Sequence, residues 1–223
     1  MELVTQAAGI CVIAALLGLV LRRGSPEITL LLALAAVLLW GAWTAHSQDA
    51  LAQKMIRLHV IANSDSAQDQ ALKLQVRDKV LAQATAILEE AEDMSQAARK
   101  LEQALPDMEQ TAAQEIRAQG YPYKVSARLE KTEFPTKDYD GFRLPSGEYL
   151  ALRIVIGEGA GQNWWCVVFP PLCTTAATDL EETAVAAGLD GEDISLITEE
   201  DEGYVLKFRA VELWENLRRW LGK

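Results

Sequence analysis

The hydrophobic positions of the chain fall into three regimes, each with its own period. Residues 7–21 form one unbroken apolar run, and residues 28–43 (ITLLLALAAVLLWGAW) form another. Each is somewhat short of the roughly 20 residues that span a bilayer comfortably. Alternation follows in MIRLHVIA (55–62), where Ile56, Leu58 and Val60 alternate with Arg57, His59 and Ile61; this predicts a strand. NSDS (63–66) stops it, and Asp65 or Ser66 is placed to cap a helix, with Gln68 or Asp69 three residues on as in a capping box. Leu72, Val76, Val80, Ala84 and Ile87 then recur every three or four residues, the stripe of a long amphipathic helix. A second helix is expected over 95–105 and a third over 107–118, divided by Pro106 and closed by Gly120.

The period then returns to two. Residues 123–134, 149–159 and 163–170 read as strands whose spacing suggests a meander, with a long connection, PTKDYDGFRLPSGE, between the first two. In the last of them, Trp164, Cys166 and Val168 share one face, and Trp165, Val167 and Phe169 share the other. Both faces are apolar, so each needs a cover. DLEETAVAAG (179–188) suggests a short helix, and YVLKFRAVELWENLRRWL ends the chain as a strand and an amphipathic helix. The whole is an α+β pattern: a helical block packed on a mainly antiparallel sheet, preceded by a membrane hairpin or signal/anchor. The expected divisions are residues 1–45 for the membrane-directed part, 46–54 for a linker and 55–223 for an exported domain.

Charge settles orientation. Arg22 and Arg23 lie in the turn RRGSPE between the two apolar runs, and positive charge stays cytoplasmic. Everything beyond Trp43 is then expected across the membrane. Two readings fit: a helical hairpin anchor, or a signal sequence ending near Ala50-Leu51-Ala52, which has the form of a cleavage site. The formal net charge of -11 argues against binding a phosphate backbone. No basic residue lies between Arg153 and Lys207, while acidic runs stand at 181–182, 192–193 and 199–202.

Candidate chemistry is sparse. His59 near Ser64 and Asp65 is the one conceivable hydrolytic set, and a strand histidine with a local hydrogen bond is the simpler reading. Cys166 has no activating base nearby in sequence. The glycines of GEGAGQ (157–162) lead into a strand, not a helix, and Glu158 would repel phosphate. Asp65, Asp69 and Asp78 match no calcium loop. No catalytic residue, metal or cofactor is therefore assigned. Outside the cytoplasm Cys166 and Cys173 can oxidise, and Pro170-Pro171 can turn the chain so that they meet; free buried thiols are the alternative.

Two segments, IRLHVIANSDSAQDQALKLQVRDKVL (56–81) and GQNWWCVVFPPLC (161–173), resemble the signature stretches of the stage II sporulation protein R family, and the layout over about 50–221 is similar. The resemblance implies a protein without enzymatic activity, made in the forespore and exported to the space between the two septal membranes. There it would activate a membrane-embedded aspartic protease that removes the pro-sequence of the sigma-E precursor. Residues 14–39 look instead like part of a stage III sporulation protein AC/AD membrane subunit, which implies a second reading: a component of a membrane channel complex anchored by its hairpin. A partner-facing surface is expected at Trp164 or Trp165, with the 170–173 loop and Asn63, Ser64 and Asp65. The alternative is that both tryptophans are core.

Overall fold

The computed structural model describes Ala35 and residues 48–139, 141–173 and 180–198. Except for Ala35, the expected membrane hairpin lies outside these residues, as do the terminal strand and helix. Apart from Ala35, they belong to one compact unit, Ser47–Glu212.

A helical turn over 48–52 leads into strand β1 (Ile56–Ile61). Two long helices follow, α1 (Ala67–Leu88) and α2 (Met94–Ala118), then β2 (Val125–Phe134), the short pair β3 (Lys137–Tyr139) and β4 (Phe142–Leu144), β5 (Gly147–Ile156) and β6 (Asn163–Phe169). Helices α3 (Leu180–Ala186) and α4 (Gly191–Thr198) complete the described part.

Four strands form one sheet in the order β2-β5-β1-β6. Two of its three pairings are antiparallel, and β1 runs parallel to β5. The expected meander is therefore corrected. β5 and β6 are consecutive in sequence, but β1 lies between them. Spacing along the chain carries no information about a strand inserted from far upstream; β1 takes a central place, and all six of its residues are buried there.

Each face of the sheet has its own cover. On one side α1 and α2 bring Leu72, Val76, Val80, Leu101, Met108 and Ile116 against Leu58, Val60, Leu152 and Ile154. On the other, Leu51 and Met55, the β3–β4 hairpin and the short helices pack on Tyr149, Ala151 and Val167. Lys54 Nζ ties the segment before β1 to Asp190, at 3.1 Å, and to Asp193.

Four local expectations change. Pro106 lies inside one continuous helix, because the stripe Ala97, Leu101, Met108, Ala112 and Ile116 packs along its whole length. That burial outweighs the roughly 3 kcal/mol an interior proline costs. The α1 stripe ends on Leu88 rather than Ile87, which is only partly buried. Ser66 is the N-cap and accepts from Asp69 N at 3.1 Å, but the Ser66 N–H goes to Ser64 Oγ, at 3.2 Å, and the Asp69 carboxylate accepts from Asn63 and Ser64. Finally, the β1–β6 register shifts between Ile56 and Arg57, a bulge that moves Phe169 to the helical face beside Val168. Gly120 closes α2 as expected, at φ +83°, with its N–H on Arg117 O and that of Tyr121 on Ile116 O.

Candidate functional site: a cleft along the edge strand

The residues singled out from sequence gather where β1 ends and β6 begins. Val60 lies opposite Trp164, His59 opposite Trp165, and Ile61 opposite Asn163. Trp164 and Trp165 point to opposite faces, and both are half-buried. Each ring packs on one core, and both line the same open cleft.

This cleft, about 630 Å³, follows β6 on the side away from β1. Arg77 and Asp78 of α1 form one wall, Lys137 and Tyr139 of β3 the other, and Cys166 and Cys173 close one end. The cations sit on the aromatic faces. Arg77 is 4.7 Å from the Trp164 ring and Lys137 Nζ is 5.0 Å from the Trp165 ring, within cation–π range. The two cysteines have Cα atoms 6.1 Å apart with their sulphurs in bonding contact, and Val167 donates its N–H to Cys173 Sγ at 3.1 Å. The Pro170-Pro171 turn thus brings them together at the cleft's end.

Asn63, Ser64 and Asp65 are braced against the β5–β6 loop. Asn63 Nδ2 and Ser64 Oγ donate to Asp69 Oδ2 at 2.9 and 2.5 Å. Asn63 Oδ1 accepts from Glu158 N at 3.0 Å, and Asp65 Oδ1 from Gln162 N at 2.7 Å. The hydroxyl of Ser64, ahead of the Asn63 amide, holds the Asp69 carboxyl below its ordinary range. Lys73, buried nearby, donates to Gln162 O at 2.9 Å, and burial lowers its pKa. Asp65, Asp69 and Asp78 do not converge: the first caps the loop, the second serves Asn63 and Ser64, and the third pairs with Arg77.

His59 is buried beside the rings of Phe134 and Trp165, with Nε2 2.9 Å from Asn163 Oδ1. Burial lowers its pKa against the opposing Asn163 bond. Ser64 donates to Asp69, not to His59, so the hydrolytic set weighed from sequence is not formed.

Sequence reasoning missed Arg57. Alternation grouped it with His59 and Ile61 and gave it no role, yet it is fully buried. Its guanidinium carbon lies 4.0 Å from the Phe134 ring and 4.8 Å from the Tyr149 ring, and Nη2 donates to Tyr139 Oη at 2.6 Å. Nε and Nη1 have no partner among the described residues. Through Tyr139 this cation positions one wall of the cleft. The signal was present in the tyrosines and phenylalanine of the 134–149 stretch, but only the strand order shows that they meet β1.

The family model described as stage II sporulation protein R matches residues 52–179, which include every cleft residue named above. The stage II sporulation protein R of Bacillus subtilis (strain 168) is 42% identical over 118 residues, 53% of this chain and 53% of that protein. The chain thus spans about half the length of the curated relative it matches. Residues 14–39 fall outside the family match. No solved structure matches the chain.

Proposed function

The chain belongs to the stage II sporulation protein R family, and on that footing we propose that it is an exported signal which activates a membrane-embedded aspartic protease and so starts processing of the sigma-E precursor. Its globular part works in the intermembrane space after crossing, or while anchored in, the forespore membrane through residues 1–45. The observation that supports this best is the cleft beside β6: two neighbouring tryptophans, each half-buried, border an opening between α1 and β3. Partly exposed tryptophans flanked by cations are typical anchors of protein interfaces. Asn63, Ser64 and Asp65 serve it by fixing the loop that delivers β6, and Asp65 remains exposed beside it. A disulfide between Cys166 and Cys173 fits the oxidising side of the membrane and would clamp the end of the cleft.

The Trp164→Ala, Trp165→Ala double variant is expected to lower sigma-E precursor cleavage at least about tenfold, the size of a lost interface anchor. Thermal melting of the same protein checks that it remains folded. Wild-type cleavage from a folded double variant would remove the cleft from the contact surface.

A further inference from the structure

Strand β6 has β1 on one side and, among the described residues, no strand on the other. The Val167 N–H identifies that outer side, because it is directed at Cys173 Sγ and away from β1. Backbone groups two residues apart in a strand point the same way, so Trp165 also presents its N–H and C=O outward. The 170–173 turn covers the edge at Val167, leaving the stretch from Asn163 to Trp165 open at the cleft. An open edge of this kind is a template for another strand.

Two side chains define what that strand carries. Trp165 Nε1 is buried in the cleft wall and has no acceptor among the described residues. Lys137 Nζ lies over the same ring, and none of the ion pairs formed among the described residues engages it. Arg77, over the other ring, is already paired with Asp78 at 2.6 Å. Asp138, which also lines the cleft, is paired with Arg143, so an anion is drawn to Lys137 on the β3 side. Resting on the activator reading, we infer that an extended segment of the partner protein adds along the outer edge of β6 and sets an aspartate or glutamate carboxylate between Trp165 Nε1 and Lys137 Nζ. A second copy of this chain suits the edge less well, since its net charge of -11 repels itself.

The test uses the full chain, co-expressed with the protease and the sigma-E precursor. A photo-reactive benzoylphenylalanine replaces Asp78 at the cleft or, for comparison, Lys131 on the β2 edge. The expected adduct joins position 78 to a protease segment that contains Asp or Glu. Lys137→Glu lowers precursor cleavage at least about tenfold, Lys137→Arg retains it, and reversing the partner's acidic residue to lysine rescues Lys137→Glu. Adducts confined to position 131, adducts from 78 to a second copy or to residues 199–223 of the same chain, or full cleavage with Lys137→Glu would each overturn the inference. Cleavage with the unsubstituted chain separates the two levels. Its presence without a cleft adduct defeats only the strand addition, whereas its absence defeats the activator reading.

Discussion

Arg57→Ala is expected to lower the stability of the domain by about 3 kcal/mol, and Arg57→Glu to leave no folded domain at all. The Arg57 side chain is fully buried, and its charge has aromatic faces and one tyrosine hydroxyl as partners instead of a carboxylate. Desolvated cation–π contacts return about 2 kcal/mol each, and burying the ion costs several. These terms nearly cancel, so the volume of the side chain decides the outcome. Alanine leaves a cavity between Phe134 and Tyr149 and removes the donor that holds Tyr139. Methionine fills much of the same space without the ion, and Arg57→Met should melt within about 1 kcal/mol of the wild type. Glutamate puts a negative charge against ring faces that repel it. Denaturant unfolding of the series checks the order Met, Ala, Glu. An alanine variant as stable as the wild type would show that the aromatic cage does not hold the β3 wall.

Gly161→Ala is expected to cost about 3 kcal/mol and, on the activator reading, to abolish precursor cleavage. The reason is backbone against backbone. A Cβ at position 161 would meet the Ser64 carbonyl oxygen and lie 2.5 Å from its carbonyl carbon. Neither atom can swing aside, because Gly161 N donates to Ala62 O at 3.0 Å and Ala160 N to Asn63 O at 3.1 Å. Relief requires the β5–β6 loop to lift off the 62–65 turn, which displaces Asn163 and both tryptophans from the edge. Gly188→Ala is the control. Its φ of +90° carries a cost of about 1 kcal/mol, but the space around it is open. Unfolding and cleavage assays on both variants check this, and equal losses at 161 and 188 would show that the contact with Ser64 is not the cause.

What could be read in the sequence was local. The alternation of 55–62, the stripe of α1 and a cap at Asp65 or Ser66 follow from spacing alone; β1 and α1 stand where that spacing puts them, and of the two cap candidates the structure takes Ser66. The cleft's tryptophans and cysteines were conspicuous for another reason: they are rare residues in one short stretch. Strand order was not legible, and most of the differences follow from it. Once β1 separates β5 from β6, the β1 face carrying Arg57 and His59 meets a second core. Parity failed at Phe169 because one bulged residue inverts every face beyond it. Pro106 misled for a different reason, since a local penalty was weighed without the packing of the whole α2 stripe. Asn63 and Asp65 were visible as a turn, but their bonds to Glu158 and Gln162 span 95 and 97 residues.

The most direct test of the activator reading is a reconstitution without the native amino terminus. Residues 50–223 are placed behind an ordinary signal peptide and expressed with the membrane-embedded protease and the sigma-E precursor, and precursor cleavage is followed by immunoblot. Cleavage that appears only when this domain is exported is the predicted result, and it makes residues 1–45 dispensable for signalling. A folded, exported domain that yields no cleavage until residues 1–45 are restored would contradict the prediction and favour a membrane component whose working part is its hairpin.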